Sequence, residues 1–190
     1  MASQLYRPDR WRDEATRREV QDALIRELDR GTLSLDEEML VLDTLVTYGL
    51  VCDDPRLLPY LDQWSARALA LGPHIETLLS ARGAVLVSIG RYEEGKVLLS
   101  SLPRVRDNAP YDALFDTLIN QIFLARAALA LANGAVAKGL IADAQTTAKA
   151  LLGSPAVTLL ISRFEPSEPL GTAVATPGKF DIAKVRGEST

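Results

Sequence analysis

Cys52 and His74 are the only cysteine and the only histidine in the chain. They are the residue types from which a thiol nucleophile and an imidazole base are built, but that pair also needs an orienting third group and a shaped pocket. They lie 22 residues apart, on segments expected to be different helices. Cysteine often serves as a small buried hydrophobe, so Cys52 reads as core and His74, beside Gly72-Pro73, as part of a turn. One histidine excludes a histidine-rich metal site. The grouped carboxylates Asp36-Glu37-Glu38, Asp53-Asp54 and Glu93-Glu94 have acid–base chemistry available. Each group falls where a helix is expected to begin, where negative charge complements the helix dipole. No phosphate-cradling glycine loop of the Walker or dinucleotide type is present. These residues lead to the expectation of a protein that is not an enzyme, with no catalytic residue, no metal site and no cofactor.

The elements that position these side chains read as helices almost throughout. Residues 9–30 place Val20, Leu24, Ile25 and Leu28 at helical spacing. Their outer face carries ion pairs four apart, Arg10/Glu14, Asp13/Arg17, Glu14/Arg18 and Asp22/Arg26. Gly31 is the expected stop. Ser34 and Glu37 match a capping box that opens a second helix running to about Cys52. Asp54-Pro55 reads as the next start signal, for a third helix ending at Gly72-Pro73. Further helices are expected over about 75–89, 92–102, 111–132 and 136–152.

Composition sets the bounds. The chain has 190 residues, 47% apolar and 24% charged, with a net charge of −4. That length suffices for one domain with a sizeable core, and the mixed charge argues against nucleic-acid binding, which favours a basic patch. A lone cysteine fits a reducing compartment. The first residues lack the apolar segment of a secretory signal, and the apolar run 122–132 is short for a bilayer span. The expectation is a cytoplasmic protein with no membrane insertion.

Several spacings repeat. Gly49 and Gly83 are 34 apart, as are Leu45 and Leu79, and Ala68 and Leu102. A 34-residue period of paired helices resembles the tetratricopeptide repeat. Gly83, Gly90, Tyr92, Glu94, Leu99 and Leu102 carry the resemblance, with a small residue seven before the corner glycine and an aromatic two after it. Ala127, Gly134 and Gly139 reproduce the pattern 44 residues on, with the extra length around Pro103–Pro110. The resemblance implies an all-α, right-handed solenoid of about three helical hairpins plus an N-terminal helix over 1–152.

In that family the first helix of each hairpin lines an inner groove. Carried over, the groove holds Val46, Leu50, Ser80, Ala84, Val87, Gln121 and Leu124, along with Asp43 and Thr47. Small apolar side chains suit a partner helix or an extended peptide. The cover can equally be the N-terminal helix, the 156–164 segment or a second copy, giving a homodimer. The function implied is a non-catalytic protein-interaction scaffold. Arg82 and Arg126, each just before a small packing residue, stand where the resemblance places leucine. One reading pairs Arg82 with Asp112 or Asp116; the other makes the two arginines anchors for a small acidic ligand in a regulatory domain.

From Gly153 the composition shifts to proline and glycine, so 153–190 reads as a tail or linker. Within it, 156–164 is apolar and β-branched, and is expected to form an edge strand or to dock across the helices.

Overall fold

A computed structural model describes residues 13–103, 109–151 and 153–162. Helix α1 spans Glu14–Arg30 and begins where Asp13 accepts a hydrogen bond from the Thr16 backbone N–H at 2.8 Å. It stops at Gly31, whose φ of 63° is left-handed. The Glu14–Arg18 pair is present. Asp22 instead reaches Arg56 at 3.5 Å, and Arg10 lies outside the described residues. Helix α2, Leu35–Cys52, opens with the Ser34/Glu37 capping box, both halves made. Nine of its residues are buried, so it is a core helix rather than an amphipathic surface one.

Asp54-Pro55 does not start a helix. Asp54 Oδ1 accepts from the Arg56 backbone N–H at 2.9 Å and from its Nε at 3.1 Å. That short-range turn spends the carboxylate locally. Leu57 is buried, a 3-10 turn covers Leu58–Tyr60, and only then does α3 run from Leu61 to Leu71. Helices α4 (Glu76–Ser88), α5 (Tyr92–Ser100), α6 (Tyr111–Ala130) and α7 (Gly134–Ala150) follow. The described residues contain no strand.

Sequential helices pair: α2 with α3, α4 with α5, α6 with α7. The first helices then pack in a row, α2 on α4 on α6, while α3 packs on α4 and α5 on α6. The chain is all-helical, built from three hairpins with α1 laid against α2. Close approach is explicit at the α4/α5 crossing. A Cβ on Gly83 would meet the Leu99 side chain at 2.7 Å, and one on Gly95 would meet the Gly83 carbonyl oxygen at 2.7 Å.

The third hairpin has a different register from the one the spacing suggests. The α4/α5 corner closes through Arg91 N–H to Leu86 O (2.8 Å) and Gly90 N–H to Val87 O (3.2 Å), with Gly90 at φ 86°. The α6/α7 corner makes the same two bonds, Asn133 to Ala128 (2.8 Å) and Ala132 to Leu129 (3.0 Å), with Ala132 at φ 58°. Ala132, not Gly134, is therefore the counterpart of Gly90, and the offset is 42 rather than 44. By that offset the partners of Gly83 and Gly95 are Ala125 and Ala137, both buried. Gly134 and Gly139 face open space.

The helical body also runs past residue 152. Residues 155–162 form a helix, α8 (Pro155–Ser162), which packs against α2. It begins where Ser154 Oγ accepts from the Val157 backbone N–H at 3.4 Å, with proline at its first position, where no N–H is needed. Neither a strand nor an irregular tail occurs over this stretch; residues 163–190 lie outside the described residues. Among the described residues, α6 is the helix long and apolar enough to cross a membrane, a length that 122–132 alone does not reveal. Its Phe115, Leu118, Ile122 and Phe123 are buried against the rest of the chain.

Candidate functional site

Cys52 and His74 occupy opposite ends of the first hairpin. Cys52 closes α2, whereas His74 follows Gly72, whose Cβ position lies 2.8 Å from the Met39 sulfur near the start of α2. At 1.5 Å per residue, the 13 positions from Met39 to Cys52 span roughly 20 Å. No hydrogen-bonded thiol–imidazole pair forms across that distance. Among the described residues no group of three His, Cys, Asp or Glu side chains has metal-holding geometry.

The apolar groove residues are core. Val46 and Leu50 on α2 and Ser80, Ala84 and Val87 on α4 are buried within the single chain, none more than 3% exposed. Leu124 is partly buried against the same core. Gln121 is partly buried too, and its Oε1 is enclosed with no hydrogen-bond partner among the described residues. The face expected to be covered by a partner, a second copy or a segment of the chain lies within the chain itself, where α2, α4 and α6 pack side by side and α8, inside the 156–164 candidate, packs on α2.

Arg82 pairs in the opposite direction from the one expected. Its Nη1 donates to Asp62 Oδ1 at 2.6 Å, to the Asp62 carbonyl oxygen at 2.8 Å and to Ser65 Oγ at 2.9 Å. Asp62 and Ser65 are on α3. Helical geometry explains this: Arg82 is two residues from Ser80, so it points away from the side that Ser80 turns toward α6. Arg126, partly buried on α6, is not its counterpart, since the 42-residue register matches Arg82 to Leu124. The two arginines occupy inequivalent places, and Arg82 is already engaged.

What α4 and α6 do build is a recess of about 190 Å³ between their first turns and the end of α5. Glu76, Thr77 and Ser80 line it from α4, and Asp112, Asp116 and Asn120 from α6. Ser80 Oγ donates to Asn120 Oδ1 at 2.5 Å across the base. Among the described residues, no lysine, arginine or histidine lines it. Burial, helped by the Asp43 and Asp112 carboxylates, pushes the Asp116 carboxyl up to about 7. Burial alone pushes Asp43 up to about 6. Asp43 belongs to α2, so the acidic character runs along the row of first helices. Like-charged carboxyls in a desolvated place resist ionising together. A cation delivered there would let them ionise, and its binding would release their protons.

Sequence reasoning placed Asp43 in the groove and named Asp112 and Asp116 only as partners for Arg82. The available signal was the helical spacing of Asp112, Asp116 and Asn120, which sets three polar side chains on one face of a mainly apolar helix.

No family model matches the chain, and no curated protein or solved structure matches it.

Proposed function

We propose that this chain is a protein-interaction module of stacked helical hairpins, similar in kind to tetratricopeptide repeats, that holds a partner by seating one of its basic side chains in the Asp112–Asp116 recess. The observation that carries this is Asp116: a partly buried carboxyl, raised to about 7, near two further carboxylates and with no basic side chain in the lining among the described residues. A lysine or arginine head inserted there would convert an unfavourable cluster of acids into a charge pair. The recess has room for about six waters' worth of liquid volume, which suits one such head better than a whole peptide. The remaining partner contacts would fall on the rim.

Peptide display selection on the immobilised full chain tests this. Selected peptides should share a lysine or arginine, and their binding should weaken on Asp116→Asn and Asp112→Asn. Truncating one member of a desolvated charge pair costs roughly 2–5 kcal/mol. A selected set without a shared basic residue, or binding that survives both substitutions, removes this reading. Arg104 and Arg106 follow Pro103 in the sequence, outside the described residues. Tighter peptide binding by an Arg104→Ala/Arg106→Ala variant would identify them as competing occupants from within the chain.

A further inference from the structure

Helix α8 is joined to the last hairpin yet packs on the first. It follows α7 after four residues and packs on α2. Its Ala156, Val157 and Leu160 are buried. Its start is tied to the start of α6. Ser154 Oγ shares a hydrogen bond with the Tyr111 hydroxyl and accepts from the Val157 backbone N–H at 3.4 Å. Tyr111 is the first residue of α6 and stacks on the buried Phe115, with ring centroids 6.1 Å apart.

In a stack of helical hairpins each unit ordinarily touches only its neighbours. Here α2 packs on α4 and α4 on α6. Helix α8 adds a second connection between the first and third hairpins, from the first turn of α6 to α2. The acidic recess stands at that first turn. Its α6 wall begins with Asp112, next to Tyr111, and continues with Asp116. The Ser80–Asn120 bond ties α4 to α6 at the base, but Asn120 is eight positions from Asp112, roughly 12 Å along the helix. Pro110 gives α6 no side-chain cap. The carboxylates of Glu76 on α4 and of Asp112 and Asp116 on α6 line the same space, and their repulsion favours separation of the two walls.

We propose that α8 is a strap that holds the recess narrow: through Ser154, Tyr111 and Leu160 it pins the first turn of α6 to the first hairpin, and so keeps Asp112 and Asp116 near Glu76 against their mutual repulsion. Tyr111 and Leu160 are positioning residues, and neither lines the recess. Loosening α8 admits water to the recess. By reciprocal linkage, an occupant that spreads the recess loosens α8. The functional meaning of the strap rests on the interaction-module reading, to which it adds a control on the recess.

Two variants of the full chain test the strap without any ligand. Tyr111→Phe keeps the ring on Phe115 and removes the hydroxyl. Leu160→Ala keeps that hydroxyl and removes buried bulk from α8. In hydrogen exchange, both should quicken the amides of 155–162 and of 114–117 at least tenfold, while those of 95–99 in α5 keep the parent rate. In carbon-13 NMR of the carboxyls, the Asp116 titration midpoint should move down toward the ordinary aspartate value, because a wider recess hydrates the carboxylate. An unmoved Asp116 midpoint overturns the proposal, whichever amides quicken. So does faster exchange confined to α8, which would make it a passive end piece. Equal loss of protection in α5 overturns it as well, since the chain then opens as one unit. Should Leu160→Ala fail to fold, Tyr111→Phe decides by the same two readings, and its identity with the parent overturns the strap. The peptide selection relies on a ligand and on substitutions within the recess. The strap test uses neither, so the two readings fail separately.

Discussion

At the scale of single residues, Asp116 has a consequence that can be read without any ligand. The folded chain holds its proton up to about pH 7, while the unfolded chain releases it near the ordinary aspartate value. Between those limits the folded state binds more protons, so its stability falls as pH rises and levels off above about 7. Asp43 adds a parallel loss that ends near pH 6. Carboxyls held low by local hydrogen bonds, Asp13 by the Thr16 backbone amide and Glu37 by that of Ser34, are already ionised in this window and do not offset it. Urea unfolding should therefore give a more stable protein at pH 5 than at pH 8. Asp116→Asn should flatten that difference and gain about 1–3 kcal/mol at pH 8. A parent whose stability is level from pH 5 to pH 8 would contradict the environment assigned to Asp116. Arg82 gives a second test at this scale. Its side chain is 12% exposed but that of Asp62 is 52% exposed, so screening keeps the pair modest. Arg82→Ala should cost about 1–2 kcal/mol. A double-mutant cycle should show coupling to Asp62→Asn and none to Asp112→Asn. The sequence showed that an arginine here needs a partner. It did not show the direction, because Asp62 and Asp112 were equally available until the face of α4 was fixed.

At the scale of elements, corners and crossings decide the register. The Cβ clash at Gly95 is with the Val87 side chain at 2.6 Å and also with backbone, the Gly83 carbonyl oxygen at 2.7 Å and the Val87 nitrogen at 3.0 Å, while at Gly83 it is chiefly with the movable Leu99 side chain. Gly95→Ala should therefore cost more than Gly83→Ala, roughly 2–3 against 1 kcal/mol by thermal melts. Ala132 holds a left-handed φ of 58° that favours glycine. Ala132→Gly should stabilise the chain by a few tenths to about 1 kcal/mol, while Gly90→Ala should do the reverse. Equal melts for Ala132→Gly and the parent would count against the corner assigned to it. These positions explain what was legible. Gly90 announces its corner because glycine fits the left-handed site. Ala132 hides its corner, and Gly134, two residues later, drew the repeat into a false 44-residue register with Arg126 opposite Arg82. Asp54-Pro55 has helix-start chemistry that Arg56 diverts into a turn. At α8 the flanking Gly153 and Pro155 read as helix breakers, yet glycine serves the connection and proline the first turn, and Val157, Leu159, Leu160 and Ile161 lack the length for helical periodicity to show.

At the scale of the whole molecule, the question is which surfaces the chain closes for itself. The resemblance set Val46, Leu50, Ala84 and Val87 on one face and named the 156–164 segment among its possible covers. It left open which cover applies, because the burial of these four side chains within the single chain depends on how α2, α4 and α6 pack and on the docking of α8 on α2. Helix α1 also packs on α2, and its attachment is concentrated in a few residues. Only Gln21 and Ile25 of α1 are buried. Gln21 is 1% exposed, and its Oε1 accepts from Arg56, which is also bound to Asp54 at 2.8 Å and reaches Asp22 at 3.5 Å. Arg56 therefore joins α1 to the α2–α3 connection, and Arg56→Ala would leave the buried Gln21 carbonyl oxygen without that donor. An unsatisfied buried acceptor costs roughly 1–3 kcal/mol, a large fraction of what two buried side chains supply to hold α1. The loss should fall on α1 alone, since Arg56 makes no bond to α4, α6 or α7. Hydrogen exchange of Arg56→Ala should accordingly show protection lost over 14–30 and retained over 115–128. Loss of protection in both segments together would mean that α1 and the hairpins unfold as one unit, with Arg56 supporting the entire chain.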